Sequence, residues 1–494
     1  MKWALALVLV LAACGDNAPN DVPEVMPECH EVPQPSADPF KTAGSVDAVS
    51  IAPTISGTLA DWDPTGRWFL TGQRVGGVSS FAFEPRGAAV LVDGEPGVMT
   101  DTSLFWRGMV QSGQASVLMI KRVSNRAPDG SLRAERLVCD GDTCRMCTAK
   151  MVFATHNDDE GEGDHISLVG QLDDPAWPAA YTLNVRVAGN TAYLIRRDGL
   201  HIIDVTDAAH PTELGVFARP MPSGAANDIK LVEANGKRYA LIGDVPVDVV
   251  DVTDPAHPKL AVQIPEEAHT LAVETRDGKT YAYFGNYNAT TPIYDVTDPT
   301  HPMKLGSFHA EGSLVHDLSL EHGVAYLNAW DGGFYVVDYT NPAAPMELGR
   351  WAKTTADSSH SSWPMRIGNR HIALHGGENY NAHLDVVDVD PASPTFMQPI
   401  GSYETRDWIS IHNLMAVGNK AYFTYYQDGV RVLDMSDPTQ PKQVGYYNTW
   451  DPQADYTTSQ FFEGAVGLDV DPARKLIFVA DSPRGLLILR DDTP

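Results

Sequence analysis

Six phrases in this chain end an apolar run on an aspartate or its equivalent and then turn: LHIIDVTD, VDVVDVTDP, TPIYDVTDP, FYVVDYTNP, LDVVDVDP and VRVLDMSDP. Aligned on that aspartate, they place Asp204, Asp251, Asp295, Asp338, Asp388 and Asp434 at intervals of 47, 44, 43, 50 and 46 residues. Periods of about 40–50 residues mark repeats whose units bury their apolar faces against one another. Each period reads as four short strands, as in VHDLSL, VAYLNAW, GFYVVDY and MELGRWA. Four strands per period predict a β-propeller blade. A last copy, RGLLILRD, puts Arg490 in the aspartate place and stops before its fourth strand. The stretch DHISLVGQLDDP at 164–175 resembles an orphan fourth strand, so it is expected to complete the last blade. The expectation is an all-β chain with a seven-bladed propeller over residues 165–494.

The corner chemistry agrees with this reading. In D-V-T-D-P-x-x-P the Asp and Thr side chains can bond nearby backbone N–H groups, and the first proline presets φ for the turn. One aspartate per blade cannot pool with the others on a single ion, so corner hydrogen bonding is expected in place of calcium binding. His210, His257 and His301 sit in these corners and are expected in solvent, while His201 lies in a blade strand.

These phrases resemble the LVIVD-repeat family of bacterial surface propellers, over roughly residues 165–490. The resemblance implies the fold and no particular reaction.

Ahead of the repeats, MKWALALVLVLAAC has one lysine and an apolar run too short to span a bilayer, which reads as a secretory signal over residues 1–13. Its end, Leu11-Ala12-Ala13-Cys14, resembles a bacterial lipobox. That likeness implies lipid on Cys14 and a place at the outer membrane or cell surface. Residues 14–44, rich in proline and acid, are expected to form a tether. Runs such as SSFAFEP, AAVLVDG, TSLFWRGMV and SVLMIKRV predict a small antiparallel β domain over 45–153, a sandwich or a barrel. Its phrase DWDPTGRWFLTG bears a loose likeness to the G-x-W opening of lipocalins. The acidic segment at 154–164 reads as a solvated linker.

Cys139, Cys144 and Cys147 are spaced C-x4-C-x2-C, like the start of a plant-type ferredoxin site, but no fourth cysteine follows them. With Cys29 they make four thiols, and in an exported protein two disulfides are expected, joining Cys29 to one of the other three. A metal or cluster on these cysteines is the alternative. The excess of 64 acidic over 36 basic residues gives a formal charge of −28, which argues against nucleic acid as a partner. No nucleophile elbow, zincin motif, Walker A or dinucleotide fingerprint is present.

Chemistry must therefore come from the propeller's own geometry. Strand one of each blade lines the central channel. One position along it reads Leu183, Asn227, His269, His316, Ser362, His412 and Val466, with His360 two residues before Ser362 on the same side. Four consecutive blades thus offer His269, His316, His360 and His412 at one channel end, and Asp228, Asp317 and Asn413 directly follow Asn227, His316 and His412 in their own blades. Loops on that face add Asn286, Tyr287, Trp330, His375, Asn379, Tyr380 and His383 as candidate contacts. Aromatics and amides beside imidazoles suit a protein, glycan or small polar ligand, bound without catalysis and without a cofactor. The alternative is a hydrolase, lyase or oxidase using the histidines, with a divalent metal or without one. A structural role, each histidine bonding the neighbouring blade, competes with both. A propeller acting as scaffold for an N-terminal binder is a further possibility.

Overall fold

The computed structural model describes residues 29–32, 58–59, 61–70 and 79–494. Within the last span, 87–88, 93–94, 100, 102–103, 113–114, 127–129, 141–142, 158–159, 179–180, 220–226, 353–357, 380–381, 407–408, 453 and 455–462 lie outside the description. Cys14 and the lipobox-like segment also lie outside it.

Alternating runs in the N-terminal part fold as β1 (Cys29–Val32), β2 (Gly66–Leu70), β3 (Ser79–Arg86), β4 (Ala89–Val92), β5 (Glu95–Met99), β6 (Leu104–Ser112), β7 (Ala115–Arg126), β8 (Leu132–Asp140) and β9 (Thr143–Phe153). From β2 to β9 each strand pairs with the next, and β9 returns to β2 through Trp68↔Phe153 and Leu70↔Met151. The domain is therefore a closed eight-stranded antiparallel barrel, which leaves no free edge along the ring. Trp68, the tryptophan of the G-x-W phrase, is buried with Phe81, Phe83, Leu104 and Trp106 in its interior.

Two expectations about the flanks need correction. Residues 29–32 are not free tether: β1 pairs antiparallel with β9, and Cys29 is disulfide-bonded to Cys147. Cys144 is disulfide-bonded too, and Cys139 stands opposite it in the β8–β9 ladder. The cluster alternative for these cysteines is thereby set aside. Nor is 154–164 a solvated linker. Gly163–Asp164 adds a short strand to blade six, and Glu160 meets Arg431, whose side chain is 0 % exposed, at 2.7 Å. A fully buried guanidinium requires such a carboxylate, which is why the acid segment is held down.

Seven antiparallel sheets follow, six of four strands and one, blade six, of five because Gly163–Asp164 joins it. Six are continuous, spanning 182–218, 228–264, 270–309, 317–351, 361–403 and 414–447 (blades one to six). The seventh joins three strands from 465–491 with Ile166–Leu172, whose register runs from Ile166↔Asp491 to Leu172↔Leu486. The first propeller strand thus closes the last blade.

The recurring phrase has two structural uses. Its aspartate accepts the N–H two residues on, as in Thr206 to Asp204 (2.8 Å), Thr253 to Asp251 (3.0 Å) and Ser436 to Asp434 (2.9 Å). In the last copy this is done by Asp491, which accepts from Thr493 at 2.9 Å, and not by Arg490, because the strand carries one more residue. His210, His257 and His301 each lie 2.9 Å from an adjacent corner aspartate and are largely exposed. The second use is at the seams. A Cβ on Gly306 in strand four of blade three would fall 2.2 Å from the Pro342 carbonyl oxygen in the next blade's corner. Gly170, Gly215 and Gly401 meet the next corner in the same way, at 2.1, 2.5 and 2.3 Å.

The barrel rests on blades five and six. Phe69 stacks on Trp450 at 5.2 Å, and Phe69 and Ala154 share one core with Ile409, Ile411 and Trp450. Buried Arg67 donates to the Ala454 carbonyl at 3.0 Å and lies 3.7 Å from Glu463, which accepts from Trp450 Nε1.

Candidate metal centre at the channel end

Strand one of blades three to six is preceded by a histidine whose backbone N–H closes onto the end of strand two. His269 donates to Gly285, His316 to Asn328, His360 to Gly376 and His412 to Thr424. His360, not Ser362, is therefore the true counterpart of His269 and His316. The two-residue offset keeps the same strand face but moves about 7 Å along the channel.

The four imidazoles form an arc around Glu378, which lies in the loop before the third strand (Leu384–Asp388) of blade five. His316, His360 and Glu378 present ligand atoms all within 4.8 Å of one another. Glu378 Oε2 lies 3.6 Å from His360 Nε2 and 3.9 Å from His316 Nε2, and Oε1 lies 3.8 Å from His412 Nε2. His269 Nε2 is 2.9 Å from His316 Nε2. Ligands at about 2.1 Å from a tetrahedral ion stand about 3.4 Å apart, so these separations are close to what such an ion needs.

The outward nitrogens explain the orientation. His412 donates Nδ1–H to the Val466 carbonyl of blade seven at 2.7 Å, which leaves Nε2 as the inward lone pair. The backbone carbonyls of His360 and His412 act in the same sense on His316 and His360, without closing to a hydrogen bond. Nδ1 of His269 lies 2.9 Å from both Asn227 Nδ2 and Tyr287 Oη. His360 is 1 % exposed, and neither of its ring nitrogens has a hydrogen-bond partner.

Two aromatic residues wall this tier from strained turns. Trp330 (φ 41°) and Tyr426 (φ 45°) both adopt the left-handed region, which bulky side chains rarely do. Trp330 stacks on His316 at 4.8 Å, and the Tyr426 ring lies 4.8 Å from His412 while its hydroxyl donates to Glu378 Oε1. Burial pushes His269 and His412 down to about 4, and it holds His316 and His360 well below the usual imidazole range, helped by neighbouring rings. Burial lifts Glu378 to about 7, against the pull of the Tyr426 hydrogen bond. The imidazoles are thus neutral at physiological pH, the form that binds metal.

Both the repeated corners and a direct match to the LVIVD repeat at residues 179–218, 223–264, 314–353 and 411–449 point the same way. The chain carries LVIVD repeats at these residues. No curated protein matches it. Its solved structural neighbours include Raptor of Chaetomium thermophilum, with 13 % identity and a TM-score of 0.48 over 66 % of this chain; the match spans 29 % of that protein's length. The WD40 propeller domain of Doa1 gives 11 % and 0.46, covering 66 % of this chain and 96 % of that one. Sqt1 of Saccharomyces cerevisiae gives 11 % and 0.45, over 66 % and 100 %.

In this repeat propeller the histidine tier opens into a channel cavity of about 780 Å³. Asp228, Asp317 and Asn413 line that cavity as wall residues. Asp228 accepts from Asn184, Lys230 and the Leu271 amide, and Arg186 stands 3.7 Å away. Asp317 accepts from Thr270 and the Leu318 amide, and burial beside Asp228 raises it to about 6. Tyr287 also lines the cavity. Asn286, Asn379, His375 and His383 do not. Asn286 and Asn379 accept from Ala289 and Ala382 in the shared NYNA turn, His375 is packed against Phe334 and Trp351, and His383 lies over Tyr425. Tyr380 is outside the described residues.

Proposed function

We propose that this protein binds a divalent transition metal at the channel end through His316, His360 and Glu378, flanked by His412 and His269. The channel then brings a small polar ligand to an open coordination position. The observation that carries this reading is His360, a buried imidazole with both nitrogens unpartnered, 3.6 Å from a buried carboxylate. Buried polar groups are nearly always satisfied, so an imidazole with no partner on either nitrogen, beside a buried carboxylate, calls for an occupant. Imidazole and carboxylate donors suit zinc, copper, iron or nickel better than calcium or magnesium. Bound there, the ion would act as a Lewis acid on a ligand oxygen or on water.

Elemental mass spectrometry of the purified chain tests this, beside His360→Ala and Glu378→Gln. One transition metal per chain, lost in both variants while they remain folded, supports the proposal. A metal-free parent that also takes up no zinc or copper on titration rejects it.

A second reading rests on the His412–Val466 hydrogen bond, which stitches blade six to blade seven. Under it the histidines are structural, and His412→Ala would lower the melting temperature without changing any metal content. Export and lipid attachment through Cys14 remain part of the proposal, resting on the lipobox-like sequence. Metabolic labelling with a palmitate analogue, lost in Cys14→Ser, would test that.

A further inference from the structure

The N-terminal barrel sits on the same face of the propeller as the histidine tier, and a chain of polar contacts joins the two. Arg406, in the loop after strand four of blade five, donates Nη1 to the Thr155 carbonyl just beyond β9 at 2.9 Å, with its guanidinium 5.5 Å from the centre of the Phe69 ring. Its other donors hold Asp428, through Nε at 3.3 Å and through a short bond from Nη2. Asp428 belongs to the turn that carries Tyr426, and its own N–H closes that turn on the Tyr425 carbonyl at 2.9 Å. Tyr426 donates to Glu378. Every side chain in the path from Arg406 inward is buried or nearly so.

The path has a physical reason. Tyr426 is held at φ 45°, a conformation that costs on the order of 1–3 kcal/mol in a bulky residue and persists only where its surroundings enforce it. The Arg406–Asp428 pair pins the two-residue-distant end of that same turn. Without the barrel side of Arg406, the guanidinium loses Thr155 and the Phe69 face, and Asp428 is left as a buried charge with a looser partner.

Resting on the metal-centre reading above, we infer that the barrel sets the position of Glu378 through Arg406, Asp428 and Tyr426, and so sets the affinity of the channel end for its metal. Arg406 and Tyr426 are positioning residues in this scheme, and neither is a metal ligand. The barrel is then part of the site's construction and more than a spacer.

The test measures zinc affinity of the full chain by competition with a chromophoric chelator. Groups that orient a metal ligand typically change affinity about 10–100-fold when removed, and that loss is expected for both Tyr426→Phe and Arg406→Ala. Acting on one path, the two should not multiply. Independent effects add to within about 0.3–0.5 kcal/mol, so a double variant within about twofold of the weaker single marks a shared path. Should Arg406→Ala lose its fold, Asp428→Asn keeps the side-chain volume and carries the same expectation. Parent-like zinc affinity in the Arg406 or Asp428 variant overturns the inference, as does a double variant whose loss is the product of the singles. A purely structural interface would lower the melting temperature and leave zinc affinity where it was. A parent that takes up no zinc overturns this inference together with the reading beneath it, whereas a zinc-binding parent with unaffected variants overturns the inference alone.

Discussion

Nε2 of His269 and Nε2 of His316 face each other at 2.9 Å, and one proton at most fits between them. With the Asn227 amide nitrogen donating to Nδ1 of His269, the proton of that ring sits on Nε2 and points at His316. The proton of His316 is then on Nδ1, which is buried and unpartnered. A metal ion would replace this awkward proton chain with coordination.

Without metal, the same rings make the protein acid-sensitive. Unfolded imidazoles titrate near 6.5, while burial pushes His269 and His412 down to about 4. Between these values the unfolded chain binds more protons, so stability is full above about 6.5 and is lost as pH falls toward 4. At pH 5 the expected loss is about 1–2 kcal/mol per ring, the lower end allowing for partial exposure of His269. Urea denaturation of chelator-treated protein at pH 7 and pH 5 measures it. A His269→Gln, His412→Gln variant should lose less than the parent on acidification, and an equal loss would refute the assignment.

Asp481 offers the opposite sign, away from the metal tier. It is 0 % exposed, forms no ion pair among the described residues, and is pushed up to about 7 by burial. A raised carboxyl costs nothing below its unfolded value near 3.8 and destabilises progressively as pH rises through 7. Asp481→Asn should therefore gain on the parent from pH 4 to pH 8, by about 2–4 kcal/mol at the alkaline end. Parallel stability curves for the two proteins would sink the claim.

The seam glycines are expected to be intolerant. Gly306→Ala places a Cβ against the Pro342 carbonyl, and forced overpacking costs about 1–3 kcal/mol. Gly236→Ala meets no atom within 4 Å but sits at φ 74°, so its smaller penalty separates backbone strain from steric conflict. Thermal melts of both variants would show whether Gly306 suffers more.

Cys29 ties β1 to the barrel across 118 residues of chain. Closing so long a loop is worth about 4–5 kcal/mol in the chain-entropy model, and Cys29→Ser should lose a substantial part of that. Urea unfolding followed by fluorescence of the barrel tryptophans would register the loss, whereas an unchanged midpoint would mean that β1 adds nothing to the barrel.

Much of the fold was legible because its signals repeat. An aspartate, a hydroxyl residue and a proline at a fixed spacing mark a corner, and six corners in register define blades. The histidines at 269, 316 and 412 were legible for the same reason, as equivalent positions in strand one. Their carboxylate partner was not. Glu378 lies in a loop of amides and histidines that the sequence pointed to, but a loop glutamate ordinarily belongs in solvent, and nothing in its spacing reveals that the chain folds it inward. Tyr426 was hidden likewise, since a left-handed tyrosine has no local signature. The acid segment at 154–164 read as solvated because its partner, Arg431, is more than 270 positions away. The choice between sandwich and barrel turned on β9 pairing back to β2, a long-range closure that local alternation does not encode.

Closure of the propeller by its first strand also has a timing. Ile166 emerges from the ribosome 325 residues before its partner Asp491. At about 5–20 residues per second, synthesis leaves that strand waiting for roughly 15–60 s. For that interval Ile166–Leu172 lacks the strand it pairs with in the seventh blade, and unpaired strands can recruit partners from neighbouring chains. The seventh blade can therefore close only after the strand that reaches Asp491 has been made.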